Sequence, residues 1–240
     1  IFARMEAFKF KQFTVHQNKC AMKVGTDGVL LGAWVSLEHR PKSILDIGAG
    51  TGIIALQLAQ RSGAEVIDAL ELEENAYEQC VENFERSPWS DRLFCYHAGL
   101  DEFVDEVDEK YDLIISNPPF YEEQVPTGST ARDMARQNQS LPFEELIQAV
   151  SKLLGEKGVF AVIVPFKEEP NFMSGASESG LLCSRITRVR GHRKNEIKRS
   201  LMEFGWERQI TKENELVIEK ARHQYTPEYI NLTKDFYLKM

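Results

Sequence analysis

The stretch ILDIGAGTG, residues 44–52, decides the fold of this chain. Its first half continues an apolar run from Ser43 to Ile47, which predicts a short buried strand that stops at Gly48. The following residues, Thr51 to Gln60, carry apolar side chains at helical spacing. Gly48 and Gly50 let the backbone turn tightly and approach a ligand with no Cβ in the way. The stretch therefore predicts a βα unit with a ligand-binding turn.

The same alternation continues on the C-terminal side of this unit. Strand-like and helical segments follow one another, with strands at 65–72, 93–97, 111–116 and 158–164 and helices at 73–85 and 143–154. Strands that are apolar on both faces are typical of a parallel sheet covered by helices on both sides, so the fold class is α/β. Beyond Leu182 the pattern is β-rich. We expect these strands to be added antiparallel at one sheet edge, at 185–190, 197–204 and 215–219.

One helix is expected before the glycine turn. It starts near Gly28, is capped by Asp27 or Thr26, and buries Val29, Leu30, Ala33 and Trp34. We treat residues 1–42 as a lead-in that contains this helix, and residues 43–240 as the main domain with a basic, β-rich C-terminal part. Together they make a single domain overall.

Composition excludes several classes of protein. The chain has 240 residues, of which 42% are hydrophobic, so it can bury a core and is not disordered as a whole. With 29 basic and 37 acidic residues its net charge is -8, which excludes a uniformly basic nucleic-acid binder. Its four cysteines lie far apart without a CxxC pair, which argues against zinc and against a disulfide framework, so we expect no metal.

Compartment and assembly follow from what the sequence lacks. It has no apolar run of the roughly 18 to 20 residues that span a bilayer, and no apolar core of a secretion signal near its start. We therefore expect a cytoplasmic protein without a membrane partner. The sequence leaves the oligomeric state open, with a monomer slightly favoured.

Charge is segregated along the chain. Glu65 to Glu85 contains eight acidic residues and no Lys or Arg, whereas Arg185 to Arg199 contains seven basic residues against Glu196 alone. Such a basic stretch is either a face that binds nucleic acid or an ordinary solvated surface, and the sequence leaves both interpretations open.

The glycine turn is flanked by two carboxylates that indicate the kind of ligand. Asp46 precedes the glycines, where it suits a ligand with an ammonium group and would repel a diphosphate. Glu71 ends the next strand, where an acid can accept hydrogen bonds from both ribose hydroxyls of a nucleoside. Turn, Asp46 and Glu71 together describe a site for S-adenosylmethionine.

From Ser43 to Pro165 the chain resembles the class I S-adenosylmethionine-dependent methyltransferases. The resemblance implies a Rossmann-like, mostly parallel seven-stranded sheet, with Gly48 and Gly50 beside the methionine and ribose, Asp46 at the amino group and Glu71 at the ribose. By position it also assigns Leu72, Leu100 and Asn117 to the cofactor pocket. In this class an Asp often binds the adenine amine, but the matching position here is Gly99. The candidates to replace it are Asp101 and the backbone of Leu100.

The fourth central strand ends in SNPPF, residues 116–120. Two prolines stiffen the chain, which leaves the Asn117 side-chain amide and the Pro118 carbonyl as acceptors at a fixed separation. Such a pair matches the two N–H donors of a planar amine, and Phe120 offers a flat face on which a ring can stack. The motif resembles that of amino-methyltransferases that act on adenine, guanine or glutamine amides, and it does not choose among these acceptors.

The block KVGTDGVLLGAW, residues 23–34, together with ILDIGAGTG, NPPF and the C-terminal YTPEYINLTKDFYL, resembles one family. It is the bacterial tRNA1(Val) (adenine(37)-N6)-methyltransferases. This resemblance implies that Lys23, Thr26 and Asp27 lie beside the methionine end of the cofactor, and that tRNA is the partner. The long polar segment 121–141, with Arg132 and Arg136, would then close over a flipped base. The residues that would follow the tRNA phosphates are Arg188, Arg190, Arg193, Lys194, Lys198 and Arg199.

Two alternatives remain beside a tRNA adenine methyltransferase. One is a methyltransferase of rRNA guanine or protein glutamine that uses the same NPPF chemistry. The other is a cofactor-binding RNA module without turnover, which the intact NPPF argues against.

Overall fold

The computed structural model describes residues 7–119 and 141–240. Within them the strands are β1 (Phe8–Lys9), β2 (Thr14–Val15), β3 (Ser43–Ile47), β4 (Val66–Glu71), β5 (Leu93–His97), β6 (Tyr111–Ser116), β7 (Leu154–Pro165), β8 (Leu182–His192), β9 (Arg199–Gly205), β10 (Lys212–Ala221) and β11 (Gln224–Tyr225). The α-helices of the same residues are α1 (Thr26–Trp34), α2 (Ile53–Arg61), α3 (Glu74–Glu85), α4 (Leu100–Glu106), α5 (Phe143–Leu153), α6 (Glu169–Glu178) and α7 (Pro227–Thr233). The predicted alternation of strands and helices is thus confirmed.

The main sheet has the strand order β11-β10-β8-β9-β7-β6-β3-β4-β5. Strands β3 to β7 pair in parallel, as predicted. Antiparallel pairing on the C-terminal side is confirmed for β9, which runs against both β7 and β8. For the strand predicted at 215–219 it is wrong, because β10 pairs in parallel with β8. In the described residues the sheet has nine strands rather than the seven expected. It grows because β10 pairs in parallel along β8, and β11 turns back beside β10.

The apolar strands bury both of their faces, because alternate side chains point to opposite sides of a sheet. Ile44 packs in one core cluster with residues of α1, α2 and α3. The next residue, Leu45, packs in a second cluster with residues of α4, α5 and α6. Two helical layers therefore cover both faces of the central strands, which leaves the strand ends as the place for a functional site.

Helix α1 begins differently from the prediction. It starts at Thr26, Gly25 occupies the N-cap position, and no side chain caps it, so the expected capping by Asp27 or Thr26 is wrong. The Asp27 carboxylate instead accepts a hydrogen bond from Arg199 Nε at 2.8 Å, a partner from distant β9 that local sequence could not reveal. Its predicted buried face is confirmed, and residues 28–34 are all buried.

The two ends of the chain are tied together. Phe10 of the N-terminal hairpin forms a bridge with Tyr237 and stacks on its ring at a centroid distance of 5.9 Å. Thr226 caps α7 by accepting the Tyr229 N–H. No helix in the described part of the chain has the length and apolar character needed to cross a bilayer.

Candidate active site

Three predicted site residues follow neighbouring strand ends at one edge of the sheet. Ile47 of β3 is in register with Ser116 of β6 and with Leu70 of β4. The next residues along each strand, Gly48, Asn117 and Glu71, therefore lie side by side at the carboxyl edge. In open α/β sheets this edge is where ligands bind.

The glycine turn is held in a conformation that suits glycine and faces open space. Gly48 and Gly50 have φ angles of 75° and 56°, in the left-handed region. The N–H groups of Gly48 and Ala49 donate to Leu70 O at 2.9 and 3.0 Å, which fixes the turn on β4. A Cβ added at Gly48 or Gly50 would meet nothing within 4 Å. The turn thus borders a space that a ligand can enter.

Asp46 lies beneath this turn and is fully buried. Its Oδ2 accepts the Ala55 N–H of α2 at 3.1 Å, whereas its Oδ1 has no hydrogen-bond partner among the described residues. Burial raises the pKa of the Asp46 carboxyl to about 7, with the charge of Glu71 acting in the same direction and the Ala55 N–H opposing it. An unpartnered carboxylate oxygen is costly in a protein interior. A cationic or hydrogen-bond-donating ligand would relieve that cost.

Glu71 joins the glycine turn to the start of α3. Its Oε2 accepts the Gly50 N–H at 2.7 Å and its Oε1 accepts the Glu73 N–H at 2.9 Å. Each carboxylate oxygen can accept a further hydrogen bond, so Glu71 retains capacity for two hydroxyl groups of a ligand. Leu72 follows with 59% of its surface exposed, which offers an apolar face beside Glu71.

The position that lacks the usual acidic side chain has a carboxylate close by. Gly99 is the N-cap of α4, and Leu100 after it is buried. A Cβ built on Gly99 would lie 2.7 Å from Asp101 Oδ1. The Asp101 carboxylate therefore occupies the space into which a side chain at position 99 would extend. Between the two candidates raised by the sequence, this placement favours Asp101.

Asn117 and Pro118 directly follow β6, close to the start of α1. The Ser116 hydroxyl donates to Ile47 O at 2.8 Å, which fixes the end of β6 on β3. A Cβ at Gly28 would lie 3.9 Å from Asn117 Nδ2. The start of α1 thus lies close to Asn117. The placement of Thr26 and Asp27 beside the cofactor stays a prediction of the resemblance. Phe120, Arg132 and Arg136 lie outside the described residues, and their roles stay predictions.

Lys23 has a local structural use. Its Nζ donates to Gln17 O at 2.5 Å and to Cys20 O at 2.6 Å, and so it folds its own segment. These hydrogen bonds do not bear on the prediction that Lys23 contacts the cofactor, and it stays a prediction.

Asn83 is a site residue that sequence reasoning missed. It lies on α3, is 1% exposed, and makes two hydrogen bonds of 2.8 Å with the backbone of His16. Its Nδ2 also donates to Thr51 O of the glycine turn at 2.9 Å. Asn83 thus ties the N-terminal segment to the turn. The available signal was a polar residue beside Phe84 on the inward face of an amphipathic helix.

The predicted RNA-binding residues divide into two groups. In the first group each arginine is paired with an acidic residue from a different element. Arg188 contacts Glu169 at 2.6 Å and Glu213 at 2.8 Å, and Arg190 contacts Glu215 at 2.6 Å. Arg199 pairs with Asp27, as described above.

The second group comprises Arg193, Lys194 and Lys198 in the connection between β8 and β9. All three are exposed, and Lys198 makes a long ion pair of 4.0 Å with Glu196. Arg190 Nη1 donates to Asn195 O at 3.2 Å, which holds the backbone of this connection. Because β8 ends and β9 begins at the carboxyl edge, these cations lie on the same side of the sheet as Asn117.

Residues 7–119 and 141–240 contain no cluster of three or more His, Cys, Asp or Glu side chains that could hold a metal ion.

Known proteins that are similar to this chain in sequence are methyltransferases. The family described as "Methyltransferase small domain" matches residues 20–164. A protein of Flavobacterium johnsoniae named tRNA1(Val) (adenine(37)-N6)-methyltransferase is 62% identical over 97% of this chain and 100% of its own length. A protein of Bacteroides fragilis (strain YCH46) with the same name is 46% identical over 97% of this chain and 98% of its own length.

Solved structures agree on the fold. A predicted O-methyltransferase from Agrobacterium tumefaciens superposes with a TM-score of 0.68 at 19% identity, covering 88% of this chain and 96% of that one. A putative RNA methyltransferase from Pyrococcus horikoshii gives a TM-score of 0.52 at 17% identity, covering 74% and 79% of the two chains. At these identities the likeness concerns the fold alone.

Proposed function

The chain belongs to the tRNA1(Val) (adenine(37)-N6)-methyltransferase family, and from that premise we propose how its carboxyl edge carries out the reaction. It transfers a methyl group from S-adenosylmethionine to the exocyclic amine of adenine 37 in tRNA1(Val). The observation that supports this assignment of residues is the register that makes Gly48, Asn117 and Glu71 neighbours. A methyl donor at the turn and an amine at Asn117 would then be adjacent.

The glycine turn and the carboxylates around it form a cradle that fits S-adenosylmethionine in charge and in shape. Asp46 Oδ1 lacks a partner among the described residues and would accept a hydrogen bond from the ammonium group, directly or through a water molecule. Glu71 would accept from the ribose hydroxyls, Leu72 would cover one face of the adenine, and Asp101 would accept from its amine. When bound, the cofactor supplies an electrophilic methyl group on a sulfonium.

Asn117 and Pro118 act on the amine that receives the methyl group. The Asn117 side-chain oxygen and the Pro118 carbonyl each accept one amine N–H. Holding these hydrogens out of the ring plane weakens the conjugation of the nitrogen lone pair with the ring, so the nitrogen becomes the better nucleophile. No base is needed before attack, because the proton leaves the methylated nitrogen afterwards. Alignment and proximity supply much of the acceleration.

The residues that position the tRNA lie at the carboxyl edge of the sheet, beyond β7. We assign direct phosphate contacts to Arg193, Lys194 and Lys198, because all three are exposed. Arg188, Arg190 and Arg199 share their charges with acidic partners. In RNA binding these three arginines hold the β8–β9 connection in place. They also add some positive charge, which the ion pairs make weaker.

The test is methyl transfer from labelled S-adenosylmethionine to an unmodified tRNA1(Val) transcript. A transcript with guanine at position 37, a rRNA fragment and a protein with a glutamine acceptor are run beside it. We expect label on the adenine-37 transcript alone, released as N6-methyladenosine after digestion. Label on guanine or on the protein, or on another atom of the adenine, would contradict the proposal.

A further inference from the structure

Phe166 is an exposed aromatic side chain at the carboxyl edge for which the reaction described above has no use. It directly follows β7, whose residues Val162, Ile163 and Val164 are completely buried. At Phe166 the chain enters a short 3-10 turn, and 38% of the residue surface is exposed. A large aromatic face that emerges beside an active site calls for an explanation in terms of a ligand.

The position of Phe166 is fixed from two sides. Its backbone N–H donates to Lys198 O at 3.0 Å, which ties it to the start of the β8–β9 hairpin's second strand. The Arg188 guanidinium lies 6.0 Å from the ring centroid. Arg188 is itself held by Glu169, which is buried. The ring is therefore mounted on an ordered network.

The register of β6 and β7 gives the separation of Phe166 from the reacting group. Ser116 is in register with Val162, so Asn117 is level with Ile163. Phe166 lies three residues further along the direction of β7, which corresponds to roughly 10 Å in a strand. At this distance the Phe166 ring is too far away to stack on the base held by Asn117, but it is near enough to stack on a neighbouring base of the same single strand.

The chemistry around the ring favours a nucleotide. Lys167 follows Phe166 in the chain, Lys198 accepts the Phe166 N–H through its backbone oxygen, and both lysines are exposed. The Arg188 guanidinium near the ring is already paired with Glu169 and Glu213, so the two lysines supply the available charge. Aromatic rings with interleaved cations are the usual means of binding single-stranded RNA, because bases stack on the ring while cations attract the phosphates. An acidic or purely apolar protein partner would not need this combination.

We propose that Phe166 is a stacking platform for a base that flanks adenine 37 in the anticodon loop, and so helps to hold the loop open while the target base enters the site. The inference rests on the proposed function, because it takes the loop of a tRNA as the occupant. It predicts a contribution to the affinity for RNA, separate from methyl transfer and from cofactor binding.

The test compares variants at two exposed phenylalanines. Phe166→Ala removes the ring, Phe166→Leu keeps apolar bulk without an aromatic face, and Phe166→Tyr restores the face. Phe94→Ala is the matched control, because Phe94 is 45% exposed on β5, the last strand of the sheet and four strands away from β7. The RNA is the anticodon stem-loop with adenine at position 37. The measurements are KM and kcat for this RNA, its Kd by fluorescence anisotropy, and the Kd of S-adenosylhomocysteine by calorimetry.

Loss of one stacked base weakens binding by about 5- to 150-fold. We expect Phe166→Ala and Phe166→Leu to raise KM and Kd for the RNA by such a factor, with a much smaller change in kcat. Phe166→Tyr and Phe94→Ala should behave as the wild type, and the affinity for S-adenosylhomocysteine should not change. A stem-loop with 2-aminopurine at position 36 or 38 should be more fluorescent when bound to Phe166→Ala than to the wild type.

Other results would overturn the inference. It fails if Phe166→Ala or Phe166→Leu binds the RNA as the wild type does, or if Phe94→Ala loses as much affinity. A wild-type protein that binds the stem-loop without methylating it would contradict the proposed function, and the binding variants would still decide the role of Phe166. A wild-type protein that does not bind the RNA at all would overturn both.

Discussion

The glycine turn after β3 and the hairpin of β8 and β9 both reach the carboxyl edge, and both contain charged residues that the sequence brings to notice. At the turn, one buried carboxylate keeps an oxygen without a partner in the described residues. In the hairpin, three of the six predicted RNA-binding residues have acidic partners from α1, α6 and β10. The density of charge along the chain therefore does not measure the charge that a ligand can use.

The pairing in the hairpin has a topological cause. Because β10 lies beside β8 in parallel, Glu215 of β10 is in register with Arg188 and comes within reach of Arg190. Arg185 is used in a similar way: it pairs with Glu203 at 2.8 Å and lies 3.7 Å over the Trp34 ring. These arginines join sheet and helix, and the cations left for RNA lie in the connection beyond them.

Of the two regions, the site beside the glycine turn should show the largest effect of a substitution. Replacing Asn117 by Ala removes one of two acceptors for the amine. We expect kcat to fall by about 10²- to 10³-fold, the size found when one positioned hydrogen-bonding group is lost from an active site. Cofactor affinity and the melting temperature should stay as in the wild type. Single-turnover kinetics and calorimetry measure the two properties separately.

Asn214→Ala is the control for this variant, because Asn214 is exposed on β10, which lies on the other side of β7. An Asn117→Ala protein that retains wild-type kcat would remove the amide from the mechanism. Loss of cofactor binding would instead make Asn117 a binding residue.

On the hairpin side, Arg188 allows a comparison within one side chain, because one of its partners is buried and the other exposed. Burial raises the pKa of Glu169, but hydrogen bonds from Arg188 and Ser200 outweigh it and hold that pKa below its usual value. Glu169→Gln should therefore lower the free energy of unfolding by roughly 2 kcal/mol, below the full value for a buried pair because Arg188 keeps Glu213. Glu213→Gln, at an exposed partner, should cost less than about 1 kcal/mol. Urea denaturation distinguishes the two, and equal losses would refute the structural role of the buried pair.

The next effect concerns the charges left over in the connection. Reversing Arg193 and Lys194 to Glu should raise the Kd for tRNA about tenfold, since each exposed charge contributes about 1 kcal/mol or less. The salt dependence should flatten by about one unit of slope for each phosphate that the protein no longer neutralises. Lys152→Glu with Lys157→Glu changes the net charge equally at the opposite edge, near the start of β7, and should leave both quantities unchanged. If the two double variants weaken binding equally, only the overall charge matters.

The sequence was sufficient for the central fold because periodicity and a glycine turn are local signals. The strands from β3 to β7, their parallel pairing and the positions of Asp46, Gly48 and Glu71 beside the turn follow from such signals. The order of the strands in the sheet was not predicted. The number of seven strands that the resemblance implied was too small, because the described residues add β10, for which the pattern at 215–219 was a signal, and β11, which has only two residues.

Long-range polar contacts were also beyond local patterns. Local sequence makes Asp27 a helix cap, but the fold brings Arg199 beside it, and Asn83 gave little sign of a link between His16 and the glycine turn. The partners of such residues are far apart in sequence and are chosen by the packing of whole elements. The same reason explains why a basic stretch could not be divided in advance into structural and available charges.

The smallest effect is the pH dependence of cofactor binding, and it tests the unpartnered carboxylate at the turn. The pKa of Asp46 is raised to about 7 by burial, helped by the charge of Glu71, so the free protein loses the Asp46 charge as the pH falls below that value. A cationic ligand favours the ionised form, and its affinity should fall about three- to fourfold between pH 8 and pH 6.5. Asp46→Asn should bind more weakly at pH 8 and lack this part of the pH dependence. Measuring both proteins by calorimetry at each pH cancels the titration of the ligand's own amine. Parallel pH profiles for the two proteins would mean that the Asp46 carboxylate does not interact with the charge of the ligand. The glycine turn would then bind the cofactor through its shape alone, and it would offer no more usable charge than the hairpin does.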